Sequence, residues 1–488
     1  MCVKGLTKER CMAVLFFVFV LGIWLLWAFI LPLNEGPDEN MRLQIAQFIL
    51  DYGKLPTGNQ KEIMDYTWGF TYAFRPILPQ MLEALFIRIT MTFTKDKFAL
   101  LFAGRLVSVL SGAVFFRYVW ALGDMLFERK SLRWIFLLLN VCLPQSSFLF
   151  TYLNCDSMAL MASAMILYYL LKGMRDTFSV RTCIWLGVSL SICMLSYYNA
   201  YGFLLTAVLI FVGCFLERVR KGERCMGEFG RKGLLILGLV LILAGWWFVR
   251  NYMLYDGDFL GLKTQEECAQ QYALDMFKPT GRRNGMNMGI SMADMLFRSD
   301  WGILVFKSFV GILAPLTKAH RAWIFVGYGL LFLAGGTGVL RECIQGIGRR
   351  HGGKNREDAQ ERRGSVDVSQ MMLHLGLMAA VLLPNIMNIW YSYTNDYQPQ
   401  GRYSMPMLVP FMYYVTRGIG YWGQRLLTRW RNRGMQVIKV SGWLVCLWMV
   451  VVLGYCTVRI MWPAYRDVED KVEVRVYTME ELFGEKSP

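Results

Sequence analysis

Four short stretches carry residue types that can do chemistry together: PDEN at 37–40, TYLNCDSM at 151–158, WWFVRNYMLYDGD at 246–258 and NDYQPQGRYSMP at 395–406. Carboxylates in the first two can accept a proton. Arginines in the last two can hold a phosphoryl group through paired N–H donors and stay charged near lipid. Each stretch alone is most simply read as a solvated helix end. Together, mixing carboxylates with arginines, they suit a site that handles an anion and needs a base, provided that the fold brings them to one face.

The elements that must position them are membrane helices. The chain has 488 residues, 55% of them hydrophobic and 15% aromatic, with a positive mean hydropathy. That is too apolar for a soluble domain of ordinary composition. Many segments of about 17 to 25 residues carry few charges, the length that crosses a hydrocarbon core roughly 30 Å thick as a helix. Lipid offers no partner to a free amide, and the runs lack the alternation of an outer-membrane barrel, so the fold class is an all-α polytopic membrane protein. The twelve cysteines show no metal-type spacing and several sit in apolar runs, so no disulfide framework is expected. The first apolar run is long, lacks a small-residue cleavage site and is followed by further spans. It is therefore read as a transmembrane helix rather than a signal peptide.

Charge placement sets the sidedness. Lys4, Lys8 and Arg10 put the N-terminus in the cytosol and the acidic stretch LNEGPDENMRLQIA (33–46) outside. From 34 to about 97 the chain is polar and aromatic, punctuated by Gly53, Pro56, Gly58, Pro76 and Pro79. Its apolar part, 77–93, is short, contains Glu83 and Arg88, and is expected to lie in the membrane plane. Further spans are expected at about 98–127, 131–150, 154–172, 180–197, 201–216, 232–249, 322–340, 371–390, 403–420 and 436–458, making about eleven. A long outer segment, about 250–321, includes a second interfacial candidate, WGILVFKSFVGILA. A charged cytosolic loop covers about 341–370. Making 77–93 a full span would move the Lys/Arg-dense loops to the opposite side. The net charge of +16 thus reads as an orientation signal with anionic-lipid contact, and excludes a nucleic-acid role. Residues 1–420 are expected to form the catalytic module, and 421–488 the last helix with an outer C-terminal tail.

On these residues the chain resembles the GT-C superfamily, multi-pass glycosyltransferases that use polyprenyl-phosphate or polyprenyl-diphosphate sugars. The membrane-edge Asp-Glu pair, the in-plane segment after it and the span entry GRLVSVLSG with Arg105 carry that likeness. The run PDEN…QIAQ, NCDSMAL, WWFVRNYMLY and QGRYSMPML is similar to a bacterial branch whose members show PDEPxH, NNDAL, WWxxRNxxLYG and QGRYxxPL. The resemblance covers about residues 11–410 and implies a GT-C-like bundle with in-plane helices in the first outer loop.

It also implies roles. Asp38 is the general base, taking the proton of an acceptor hydroxyl or amine as it attacks the anomeric carbon. The departing lipid phosphate needs positive charge rather than a strong acid, unlike the leaving sugar oxygen of a hydrolase. Glu39 either orients Asp38 or the acceptor, helps to hold a divalent cation, or is a solvated loop residue. Arg402 is the first choice for the donor phosphate and Arg250, next to Asn251, the second, with interfacial snorkelling as the alternative for both arginines. Tyr403 packs beside the lipid headgroup. Asn154 and Asp156 either cap the helix that they begin or bind sugar or metal. Arg105 lies about two turns into its span and needs a partner, for which a first-loop carboxylate is one candidate.

The expected protein is thus a multi-pass enzyme of the cell membrane, with its site on the extracytoplasmic side. Its partners are a polyprenyl-linked sugar donor, the bilayer, and an envelope glycan, lipid or protein acceptor; metal dependence stays open, with a divalent cation as the candidate. The rival reading is a transporter or flippase for a lipid-linked or anionic solute. Transporters place polar groups near the midplane of repeated halves, whereas these motifs crowd one edge and no internal repeat is visible. GRRHGGKN (348–355) matches a P-loop except at its last position, and has no apolar strand before it. His320, His351 and His374 fall on three different elements, which argues against a His-rich zinc site.

Overall fold

The computed structural model describes residues 8–313, 318–319, 321–351, 367–429 and 434–473. His320 and the 352–355 part of GRRHGGKN lie outside the described residues. Among the described residues the protein is a helical bundle, the one ladder being a two-residue pair between Ile312–Leu313 and Lys318–Ala319. Among these residues eight helices are long and apolar enough to cross a membrane: Lys8–Ile30 (α1), Lys97–Leu126 (α4), Asp156–Asp176, Tyr198–Arg220, Met226–Leu254, Ala322–Gln345, Val368–Thr394 and Val440–Tyr465.

The other three expected spans are helical but fall short of that measure. The 131–150 segment is broken into Lys130–Val141 and Pro144–Leu149. Pro144 has no N–H to give to a preceding turn, so it ends one helix and sits in the first turn of the next. Val180–Met194 has 15 residues, and Leu408–Arg429 carries Arg417 and Arg425 within its 22. Between α1 and α4 lie two short helices, Glu39–Tyr52 (α2) and Leu78–Thr90 (α3). The 13 residues of α3 span roughly 20 Å, too little for the hydrocarbon core.

The core runs through the bundle around Trp24, Trp27, Phe115, Phe148 and Phe150, all fully buried. Asp156–Asp176 is the most enclosed of the long helices, and Met226–Leu254 the most peripheral. Ala322–His351 packs on Leu408–Arg429 with backbone touching backbone, since a Cβ on Gly418 would fall 1.8 Å from the carbonyl oxygen of Gly335. This is the close approach that small residues permit between membrane helices. The last long helix does not stand apart from the rest. It packs on Lys130–Val141, and its end reaches α1.

Candidate active site

The first loop is organised around Arg105 of α4. Helix α1 ends at Ile30, just before Pro32, leaving carbonyls without helical partners. Arg105 Nη1 donates to the carbonyls of Ala28 (2.9 Å) and Leu31 (2.5 Å), and Nη2 to that of Pro32 (3.1 Å). The same guanidinium grips Glu39 at two points, Nε to Oε1 and Nη2 to Oε2, each 2.8 Å. Glu39 also accepts from the amides of Asn34 (3.0 Å) and Leu153 (3.1 Å). Both side chains are fully buried. A first-loop carboxylate is therefore the partner of Arg105, and Glu39, far from being solvated, joins α1, α2, α4 and the 150–156 turn.

This clamp holds a strained stretch. Asn34 and Asp38 have φ of 67° and 61°, in the left-handed region, which Asn and Asp tolerate better than most residues. Asp38 stands at the N-cap of α2, yet its side chain makes no capping bond. Instead Arg402 Nη2 donates to Asp38 Oδ2 at 2.7 Å, across 364 residues of chain. Burial opposes ionisation of Asp38, but the charges of Arg402 and Arg42, with hydrogen bonds from Arg402 and Tyr72, hold its carboxyl below the usual range.

Arg402 comes from a 3-10 turn, Gly401–Met407. Gly401 lets that turn touch the Trp301–Gly311 helix: a Cβ would lie 2.2 Å from the Phe309 amide nitrogen, and the Gly401 N–H donates to Ser308 Oγ at 2.6 Å. Arg402 Nη2 also donates to the Tyr403 hydroxyl at 3.1 Å, and that hydroxyl donates to Gln398 Oε1. The Arg402 Nε is buried without a hydrogen-bond partner. Asp156 begins its helix nearby, buried, with Oδ1 likewise unpartnered and both Arg402 and Arg42 acting on it.

Two further arginines join these groups. Arg42, one turn after Asp38, stacks over Tyr72 at 4.5 Å. Arg75 donates to Gln265 Oε1 at 3.0 Å. Arg42, Tyr72, Arg75, Cys155, Tyr197 and Tyr198 line a small cleft, and the charges of Arg42, Arg75 and Arg402 all bear on Cys155. None of the cleft's arginines or tyrosines was singled out from the sequence. Arg42 was within reach of such reasoning, because an i, i+4 spacing from Asp38 puts both on one side of a turn.

The remaining candidates are placed elsewhere. Arg250 donates to the Pro56 carbonyl at 2.7 Å and stacks over Trp247 at 4.9 Å. Asn251, fully buried, donates to the Phe74 carbonyl at 3.0 Å. Both thus brace the main chain of the first loop rather than face Asp38. Asn154 Oδ1 accepts from the Ser157 amide at 2.8 Å, and its Nδ2 donates to the carbonyls of Leu149 and Tyr152. It is a buried cap of the turn and the helix after it. Of the nine sequence candidates, Asp38, Arg402, Tyr403 and Asp156 converge, while Glu39, Arg105, Arg250, Asn251 and Asn154 hold the backbone around them.

No group of three or more His, Cys, Asp or Glu side chains is arranged to hold a metal ion among the described residues. No disulfide joins the described cysteines.

ArnT from Cupriavidus metallidurans bound to undecaprenyl phosphate superposes with a TM-score of 0.51 at 14% identity, over 93% of this chain and 73% of that one. The oligosaccharyltransferase of Archaeoglobus fulgidus in its apo form gives 0.52 at 12% identity, over 90% of this chain and 56% of that one. The chain shares the fold of these two proteins. This chain spans just over half the length of the oligosaccharyltransferase. A family model described as "Predicted membrane protein (DUF2142)" matches residues 61–273, from the first loop to the end of the helix that follows WWFVRN. No curated protein matches the sequence. In this fold of a multi-pass membrane protein the Asp38 loop and the Arg402 turn meet.

Proposed function

We propose that the protein transfers a sugar from a polyprenyl-phosphate or polyprenyl-diphosphate donor to an extracytoplasmic acceptor, with inversion at the anomeric carbon. The observation that carries this reading is the ion pair of Asp38 with Arg402, beside a small cleft lined by Arg42 and Arg75, with Asp156 under the charges of both Arg402 and Arg42. The surplus of positive charge suits one more anion, and the Arg402 Nε lacks a partner for it. That ArnT, of the same fold, was solved with undecaprenyl phosphate bound supports a lipid phosphate as that anion. The positive-inside pattern of the basic loops supports placing this face outside, with the N-terminus in the cytosol.

In the transfer, Asp38 takes the proton of the acceptor hydroxyl or amine, whose oxygen or nitrogen forms a bond to the anomeric carbon. The bond from that carbon to the phosphate oxygen breaks, and the electron pair leaves with the phosphate. Arg402, Arg42 and Arg75 hold the charge that develops there. A divalent cation is disfavoured by this donor set: Asp38 faces Arg402, Glu39 is engaged by Arg105, and Arg42 and Arg75 line the adjacent cleft. No step is routed through one.

The ion pair also orders the reaction. Before donor arrives, Arg402 both occupies Asp38 and keeps it a weak base. A phosphate that shares Arg402 releases Asp38, whose affinity for a proton then rises. The acid limb of kcat is therefore expected at higher pH than that of kcat/KM for the donor. The latter reports the free enzyme, in which Asp38 stays ionised until the pH falls below the usual carboxylate range. Rate profiles in purified, reconstituted protein read both; coincident limbs would remove the coupling.

The test of the function is mass spectrometry of envelope glycans and lipid-linked sugars with and without the gene. The expected result is loss of one sugar from an envelope component with build-up of its lipid carrier. Unchanged glycans, together with no transfer by the purified protein from a panel of polyprenyl-linked sugars, would reject it.

A further inference from the structure

The C-terminal segment reaches back across the whole chain to the loop that carries Asp38. The last long helix, Gly434–Tyr455, runs on through a π-helical turn, Cys456–Met461, into Trp462–Tyr465. Such turns shift the facing of the residues after them and recur at functional sites. Here Thr457 Oγ1 accepts from Trp27 Nε1 at 3.1 Å, and the Tyr465 hydroxyl donates to Glu35 Oε2 at 2.7 Å. Beyond the helix, the Lys471 carbonyl accepts from the Leu33 amide at 2.8 Å, and its ammonium sits 5.1 Å above the Phe29 ring and 5.3 Å above Phe98. These contacts follow the chain from Trp27 in α1 to Glu35 in the loop after it, ending three residues before Asp38. Glu35 and Tyr465 are both almost wholly buried, at 1% exposure.

Position matters because the stretch between Leu33 and Asp38 contains both left-handed residues, Asn34 and Asp38. Arg105 and Glu39 fix the far side of that stretch. The near side is pinned at Leu33 and Glu35 by the C-terminal segment. We infer that Tyr465 is a positioning residue for the transfer, acting through Glu35 to keep Asp38 turned away from its helix cap and towards Arg402. The inference rests on the assignment of Asp38 as the base.

The test compares Tyr465→Phe, Glu35→Gln, Glu35→Ala and the double variant Tyr465→Phe/Glu35→Ala in reconstituted full-length protein. Tyr465→Phe keeps the ring and removes only the donor. It is expected to lower kcat roughly 10- to 100-fold, the effect of a small misplacement of a reacting group, with KM for the donor unchanged and faster amide exchange across residues 33–40. Glu35→Gln keeps an oxygen that can accept from Tyr465 and is expected to restore most of kcat. Glu35→Ala is expected to match Tyr465→Phe, and the double variant to fall little further than either. A folded Tyr465→Phe protein with wild-type kcat and wild-type exchange at 33–40 overturns the inference; so does a Glu35→Gln variant as impaired as Glu35→Ala. Asp38→Asn is read separately. If it keeps full transfer, the base assignment fails, whereas the exchange data still report whether the strap holds the loop.

Discussion

Asp38→Asn is expected to lower transfer roughly 10²- to 10⁴-fold, the contribution of a positioned general base, and to leave the protein folded. The substitution isolates proton acceptance. Asparagine tolerates the left-handed backbone at this position, where φ is 61°, and its Oδ1 can still accept from Arg402 Nη2, which now reaches Asp38 Oδ2 at 2.7 Å. The turn and its contact with the 401–407 segment thus survive, while the group that takes the proton does not. The competing explanation of the same geometry is that Asp38 merely neutralises a buried arginine. In that case the substitution would shift the thermal midpoint and leave the rate of a folded sample near that of the wild type. Measuring single-turnover transfer from saturating polyprenyl-linked sugar, beside the melting curve of the same preparation, separates the two. A wild-type rate would remove Asp38 from the chemistry, and the function of the cleft would then need another base.

Much of the bundle is legible in the hydrophobic runs, because lipid allows a long apolar segment few structures other than a helix. Where length and apolarity were marginal, as at 131–150 with Pro144 inside it, the run was seen but not its break into two enclosed pieces. The site was legible residue by residue and hidden in its pairings. Asp38 and Arg402 stood out by type and by family likeness, but nothing in a linear chain says that positions 364 apart will meet at 2.7 Å. Arg250 looked like Arg402, an arginine beside aromatics at a helix end. The difference, a main-chain carbonyl at Pro56 against a carboxylate at Asp38, exists only after folding. Arg42, Arg75 and the cleft tyrosines were invisible for the converse reason, each being unremarkable in its own stretch. In sequence Glu39 reads as a carboxylate that orients Asp38 or the acceptor, holds a cation, or is solvated. A carboxylate one residue further along points elsewhere when the residue before it is left-handed, and this one points into α4.

Removing Arg105 is expected to have the largest effect on stability. Arg105→Ala should destabilise the protein by about 3–5 kcal/mol, the range for taking one partner from a buried ion pair. Both members here are fully buried. Glu39 would keep only the amides of Asn34 and Leu153, and three carbonyls at the end of α1 would lose their donor. Arg105→Lys should recover little, since an ammonium cannot reproduce the planar fork that serves Glu39 and the carbonyls together. Glu39→Gln then decides what the pair is for. The amide retains one oxygen for a donor, so a positioning role predicts a lower melting temperature with a much smaller loss of rate than Asp38→Asn gives. A catalytic role predicts comparable losses of rate in the two neighbours. Because the carboxylate oxygens of Glu39 are held by Arg105 and two backbone amides, a loss of rate equal to that of Asp38→Asn in a fully folded Glu39→Gln protein would mean that the clamp opens during turnover. The expected inequality is instead that of a fixed clamp beside a reacting base.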